Sequence, residues 1–199
     1  MSQLSLLGRE PAGFDASFAS LRHVELGEGA WLDHVPGWLR GHADVFDALH
    51  ASTRWRTSEE KLYGRTIATP RLIATLPDDG PGHAVLSPMR RVLEERYRET
   101  FPRVSLALYR DGRDSVAWHG DRVARTLPEA LVATLSLGAP RRFLLRPKGG
   151  GHALVFELGA GDLLVMGGAC QRTFQHSIPK VAHANPRIAV MFRPNWAER

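Results

Sequence analysis

The stretch Ser105–Arg125, SLALYRDGRDSVAWHGDRVAR, decides how this chain is read. An apolar run from Ser105 to Tyr109 ends in the polar turn Arg110-Asp111-Gly112-Arg113-Asp114. A second extended run follows and closes on Trp118-His119-Gly120-Asp121. Short apolar runs on either side of a Gly- and Asp-bearing turn predict β structure. His119 and Asp121 stand at i and i+2, so on a strand both side chains leave the same face.

An imidazole and a carboxylate on one face are two of the three donors in a facial iron(II) site of two His and one carboxylate, which leaves positions open. Such a site needs one more His, and a cation for whatever acid fills the open positions. His176 is the candidate for the first, because Arg172-Thr173-Phe174-Gln175-His176 reads as a strand ending in the turn Ser177-Ile178-Pro179. His183 is its rival, in the loop-like Val181-Ala182-His183-Ala184-Asn185-Pro186, and His152 follows three glycines. Arg187 and Arg193 are the candidate cations. Their even spacing on Arg187-Ile188-Ala189-Val190-Met191-Phe192-Arg193 places them on one strand face with Ala189 and Met191.

The β texture extends from Val104 to the end of the chain. Apolar runs recur at Val104–Tyr109, Ser115–Trp118, Leu131–Leu137, Arg142–Arg146, His152–Leu158, Asp162–Met166, Thr173–His176 and Ile188–Arg193, separated by Gly and Pro turns. Short strands with turn signals every 8 to 12 residues or so predict a sandwich or barrel. Residues 1–30 read as an irregular arm with short strands, and Trp31–Leu39 as a turn leading into a helix over His42–Trp55 with Val45, Phe46 and Leu49 on one side. His34, His42 and His50 on this segment read as surface or capping residues. Residues 56–86 mix charge, Gly and Pro with short apolar pieces, and Pro88–Glu99 reads as a helix with Pro88 in its first turn. The expected fold is mainly β (α+β): one domain over 1–199, with a helical and loop-rich layer over 1–103 against a jelly-roll core over 104–194.

Hydrophobic residues at 43% and charged residues at 24% are those of a globular domain. No run approaches the ~20 apolar residues of a membrane helix, and no membrane partner is expected. The segment MSQLSLLGREPAGF lacks the basic-then-apolar order of a secretory signal. The single cysteine, Cys170, excludes a disulfide framework within the chain. Both point to a cytoplasmic protein. The net charge is +5, and all but Lys61, Lys148 and Lys180 of the 26 basic residues are arginine, whose planar donors suit phosphate. The basic residues are spread along the chain, so charge alone leaves a nucleic-acid partner open.

Five motifs occur together in order: Tyr109-x-x-Gly112-x-Asp114-x4-His119-x-Asp121, Ser136-Leu137-Gly138, Gly161-Asp162-Leu163-Leu164-Val165-Met166, His176-x2-Pro179 and Pro186-Arg187-x5-Arg193. The set resembles the AlkB family of iron(II)- and 2-oxoglutarate-dependent dioxygenases, over about residues 31–194. The resemblance implies a double-stranded β-helix with iron(II) held by His119, Asp121 and His176. It implies 2-oxoglutarate on the metal, its distal carboxylate met by Arg187 and the Tyr109 hydroxyl, with Arg193 near the carboxylate at the metal. It further implies oxidative demethylation of N-alkylated bases of the 1-methyladenine and 3-methylcytosine type, with dioxygen as second cosubstrate, in DNA repair. The partner would be single-stranded or flipped-base DNA, or RNA, and the enzyme a monomer.

Three positions depart from the family pattern. Ala107 and Ala189 stand where many relatives carry Asn, and each change removes amide hydrogen bonds to the cosubstrate. Val123 stands where relatives often place an acidic residue, which leaves the base read by this chain open. A base acted on at a ring nitrogen must be unpaired or flipped out and stacked. His119 would offer one plane, and the other is sought among Tyr63, Trp55 and His83, because Leu76–Leu86 holds no Phe, Tyr or Trp. Arg122, Arg125, Arg141, Arg142 and Arg146 are candidate phosphate contacts, with solvated surface as the alternative. Two other functions compete: a 2-oxoglutarate-dependent hydroxylase of RNA, protein or a small metabolite, and a metal-free jelly-roll binding module.

Overall fold

A computed structural model describes residues 10–62, 65–76, 81–121 and 127–195 of the chain. The N-terminal part contributes β1 (Gly13–Phe14), β2 (Arg22–Gly27), β3 (Ala30–Val35), β4 (Leu39–Arg40), α1 (His42–Ser52), β5 (Arg56–Leu62), β6 (Arg65–Thr75) and α2 (Pro81–Tyr97). The remainder contributes β7 (Arg103–Tyr109), β8 (Val116–His119), β9 (Val132–Gly138), β10 (Arg141–Pro147), β11 (Leu154–Leu158), β12 (Leu163–Gly168), α3 (Cys170–Thr173), β13 (Phe174–Ile178) and β14 (Arg187–Arg193). All eight expected strands of the C-terminal part form, each shifted by no more than a residue or two at its ends.

The strands make a large antiparallel sheet in the order β2-β3-β12-β9-β14-β7-β6-β5 and a small one in the order β11-β10-β13-β8. This is the expected jelly roll. The large sheet is covered on both faces. Val104, Leu106, Leu108, Leu135, Ile188, Val190 and Phe192 pack against Val45 and Leu49 of α1 and Leu86, Met89 and Leu93 of α2. The alternate residues of the same strands face the small sheet, where Ala107, Tyr109 and Ala189 meet Phe143, Leu145 and Ile178. Period-two alternation therefore assigns each strand residue to the helical core or to the space between the sheets. That inner space is where the polar residues of β7, β9 and β14 collect.

Three segments differ from their sequence reading. Ala30–Val35 is a strand rather than a turn before a helix, because it pairs with β2 on one side and β12 on the other. Backbone pairing on both edges overrides a weak helical spacing. β5 and β6, read as loop-rich sequence, pair antiparallel with each other, and β6 pairs with β7. The helix read from Pro88 starts at Pro81, which leaves Pro88 inside it. Proline there removes the bond to the carbonyl of residue 84. Pro88 and Ala84 are both exposed, so water can serve that carbonyl, while Leu86, Met89 and Leu93 seat the helix on the sheet. Among the described residues no helix is long and apolar enough to cross a membrane.

Candidate active site

β8 and β13 run antiparallel with His119 and His176 in direct register. Their rings lie 4.3 Å apart, centroid to centroid. Asp121 follows two residues after His119, and one donor atom from each of His119, Asp121 and His176 lies within 4.8 Å of the other two. The chain passes tightly between His119 and Asp121: a Cβ on Gly120 would stand 2.9 Å from the Gln171 carbonyl oxygen, so glycine is required for α3 to pack there.

Each of the three side chains is held from outside the triad. His119 Nδ1 lies 2.8 Å from the Ala117 carbonyl, which fixes the proton on Nδ1 and leaves the Nε2 lone pair for a ligand. The His176 ring stacks on Phe143 at 5.2 Å. The Asp121 amide N–H donates to Gln171 Oε1 (3.1 Å), and Asp121 Oδ1 accepts from Arg193 Nη2 (2.8 Å). Arg193 also donates from Nη1 to the Ser105 hydroxyl. Burial pushes the His176 pKa down to about 3, with His119 adding to the effect, so His176 is neutral at physiological pH. Burial by itself would raise Asp121, but Arg193 and the imidazoles outweigh it and hold the carboxyl at about 2. A neutral imidazole and an ionised carboxylate are the protonation states that metal coordination requires.

The triad forms one end of a cavity of about 330 Å³ between the sheets, and Tyr109, Arg187 and Arg193 line it as well. Arg187, on β14 opposite Tyr109, is 1% exposed. Its Nε donates to the Ser136 hydroxyl (3.0 Å), and its Nη1 is buried without a hydrogen-bond partner among the described residues. Burial lowers its pKa to about 10, which still leaves it cationic. A buried cation with an unused N–H on a cavity wall is a seat for a carboxylate, whose bond to it is charge-assisted. All six residues singled out from the sequence thus line one space.

Sequence reasoning missed two residues. Arg71, on β6, donates from Nη1 to the Tyr109 hydroxyl (3.0 Å) and lines the same cavity. Gln171, 2% exposed on α3, supports Asp121. Arg71, Ile73 and Thr75 alternate toward the cavity, a signal visible only once residues 65–75 are recognised as a strand.

Other candidates sit elsewhere. Arg141 is not a phosphate contact: it is 2% exposed and donates to the backbone carbonyls of Asp111, Asp114 and Pro179, which pins the turn after β7. Arg110 closes that turn with two bonds to Asp114 (2.8 and 2.9 Å). Arg142 pairs with Glu157 on the surface, and Arg146 lies 4.0 Å over the Trp118 ring. Trp55 donates to the His50 carbonyl and packs on the helical core, and His50 stacks on Phe46. His34 meets Asp162, and His152 and His183 are exposed. His83 falls in the first turn of α2. Tyr63, Arg122, Val123 and Arg125 lie outside the described residues.

Two imidazole nitrogens and a carboxylate oxygen converging on a jelly-roll cavity, with a buried arginine beyond them, define a non-haem iron site that takes an acidic cosubstrate. The family model of the 2OG-Fe(II) oxygenase superfamily matches residues 41–193, and the chain belongs to that superfamily. Within it the chain is AlkB-like. It is 31% identical over 182 residues to the alpha-ketoglutarate-dependent dioxygenase alkB homolog 3 of Bos taurus, covering 79% of this chain and 64% of the relative. It is 36% identical over 121 residues to that of Homo sapiens, covering 56% of this chain and 42% of the relative. The chain therefore spans less than two thirds of the length of these two relatives. The DNA oxidative demethylase ALKBH2 of Mus musculus is 26% identical over 217 residues, with 94% of this chain and 90% of the relative covered. Among solved structures, OsALKBH1 shares the fold with a TM-score of 0.58 at 16% identity, covering 85% of this chain and 100% of that one.

Proposed function

We propose that the protein oxidatively demethylates N-alkylated bases of the 1-methyladenine and 3-methylcytosine type in nucleic acid, as a DNA-repair dioxygenase dependent on iron(II), 2-oxoglutarate and dioxygen. The observation that carries this reading is the cavity itself, where three donors and a buried cation with an N–H unpaired among the described residues share one space. The relatives named as DNA oxidative demethylases support the substrate class, as does the net charge of +5. We place the enzyme in the cytoplasm, as a monomer acting on single-stranded or flipped-out DNA, with RNA as a second polyanion it can meet.

In this reading His119, Asp121 and His176 hold the metal, and Arg187 with the Tyr109 hydroxyl holds the distal carboxylate of 2-oxoglutarate. With both bound, the site oxidises the cosubstrate to succinate and carbon dioxide and places one oxygen atom of dioxygen on the N-methyl carbon. The resulting N-hydroxymethyl group breaks at its C–N bond to formaldehyde and the repaired base. Arg193 keeps Asp121 ionised and oriented, and Gln171 fixes the Asp121 backbone. Ser136 orients Arg187, and Arg71 orients the Tyr109 hydroxyl. The half-buried His119 ring stands at the metal end of the cavity, where a flipped base would stack against it.

A second reading, a 2-oxoglutarate-dependent hydroxylase of RNA, a protein side chain or a small metabolite, draws on one observation. Tyr109 and Phe143 are the only Phe, Tyr or Trp side chains among the described lining residues, and Phe143 is already stacked on His176. The test is mass spectrometry of a single-stranded oligonucleotide carrying one 1-methyladenine or 3-methylcytosine, incubated with protein, iron(II), 2-oxoglutarate and ascorbate beside His119→Ala. Loss of the methyl mass with the intact protein alone supports demethylation. Succinate formation without loss of methyl moves the reading to the hydroxylase, and no turnover with no iron binding overturns both.

A further inference from the structure

β7 and β14 lay their cavity-facing residues out as a ladder of cross-strand pairs. Tyr109 faces Arg187, Ala107 faces Ala189, and Ser105 faces Met191. The next strands extend the middle rung, since Ile73 of β6 pairs with Ala107 and Ser136 of β9 pairs with Ala189. The rung above is cationic: Arg187 and Arg71 both lie at the Tyr109 ring, their guanidinium carbons 5.3 and 6.0 Å from its centroid. At the other end of the ladder Arg193 reaches Asp121. An acid anchored at Arg187 and chelating at the triad therefore crosses the Ala107/Ala189 rung with its carbon backbone.

Those two alanines are 1% and 4% exposed, both line the cavity, and neither offers more than a methyl group. Paired side by side they leave the middle of the cavity wall shallow and apolar. The anchor beside them carries spare donors, since Arg187 Nη1 and Arg71 Nε are both buried without a partner among the described residues. We propose that the Ala107/Ala189 pair widens the cosubstrate seat, so that the enzyme accepts a 2-oxo dicarboxylic acid bearing an extra apolar carbon on its backbone. This rests on the 2-oxoglutarate-dependent reading above. An added methyl group lies against the two alanines and Ile73, while the two carboxylates keep their separation and the donors that hold them.

Isothermal titration calorimetry on the Mn(II)-loaded full chain tests this without turnover, with 2-oxoglutarate, 3-methyl-2-oxoglutarate and 4-methyl-2-oxoglutarate as titrants. At least one methylated acid binds between about threefold weaker and about fourfold tighter than 2-oxoglutarate, the upper limit being the gain from burying one carbon. In Ala107→Val or Ala189→Val the ratio of methylated to unmethylated affinity falls by about tenfold, because the added methyls fill the rung. Binding of 2-oxoglutarate with both methylated acids weaker by about 100-fold or more in the wild-type chain overturns the inference and leaves the dioxygenase reading intact. An unchanged ratio in both variants overturns the assignment to the alanine pair. Failure of all three acids to bind overturns the cosubstrate reading itself, and the inference with it. If either variant does not fold, the wild-type ratio still decides.

Discussion

Arg193 at the end of the last strand donates from Nη2 to Oδ1 of Asp121 at 2.8 Å, and both side chains are almost fully enclosed, at 13% and 9% exposure. The pair links the closing strand of the large sheet to the loop that leaves the small one. It also supplies the positive charge that lets a buried carboxyl stay ionised. Removing the guanidinium leaves an uncompensated buried charge, which is costly. In Arg193→Ala the Asp121 pKa rises from about 2. Metal affinity measured against pH then starts to fall at a higher pH than in the wild-type chain, and Arg193→Lys restores part of the difference.

The metal-free protein loses stability as pH falls below the ordinary histidine range. The pKa of His176 is 6.5 when unperturbed and about 3 in the folded chain. Between those values the unfolded chain binds the proton that the folded chain refuses, so each unit of acidification costs up to about 1.4 kcal/mol from this group. Asp121 has the same sign in a lower window: its contribution is full above 3.8 and lost as pH falls towards about 2. Urea denaturation of the metal-free protein at pH 7, 6 and 5 shows a falling midpoint, and His176→Gln flattens the slope. A slope unaffected by that substitution would falsify the assignment.

Arg187→Lys weakens the cosubstrate far more than it unfolds the chain. Lysine keeps the charge but loses the planar fork that bonds Ser136 while leaving another N–H free. A lost charge-assisted hydrogen bond is worth about 1.5–3 kcal/mol, so the KM for 2-oxoglutarate rises by roughly ten- to a hundredfold. Succinate release measured against 2-oxoglutarate concentration gives the value.

Gln171→Ala removes the side-chain acceptor of the half-buried Asp121 N–H. Residues that orient a ligand from behind are worth about 10- to 100-fold in metal affinity. Competition with a chelator for Mn(II) shows a loss in that range, while Gln171→Glu, which keeps the acceptor oxygen, recovers part of it. Equal losses in the two variants would show that the hydrogen bond is not what holds Asp121.

Arg141 and Arg142 are neighbours with opposite fates. Arg141→Ala frees three backbone carbonyls and leaves the turn between β7 and β8 unpinned, which costs about 2–4 kcal/mol. Arg142→Ala breaks a pair in which both side chains are more than 60% exposed, a change worth about 1 kcal/mol or less. Guanidinium denaturation curves separate the two.

The eight strands from Arg103 to Arg193 were legible because alternation and turn residues are local properties, readable from a few neighbouring residues at a time. His119 and Asp121 were legible for the same reason, since their shared face follows from a spacing of two. Ala30–Val35 and the paired strands β5 and β6 were not, because β3 is held by β12 and β6 by β7, partner strands distant in sequence. Arg71 and Gln171 were missed for that reason too. Arg141 looked like a surface cation because nothing local says that three carbonyls from two loops distant in sequence converge on it.

By itself the sequence determined which residues alternate to which face, and so which polar side chains were available to the space between the sheets. Tertiary structure alone decided that His176 stands in register with His119, that Arg193 turns to Asp121 while Arg187 turns to Ser136, and that Ala107 faces Ala189. The physical reason is register: side-chain period is a property of one strand, whereas which residues meet across strands depends on pairings made by chain segments far apart.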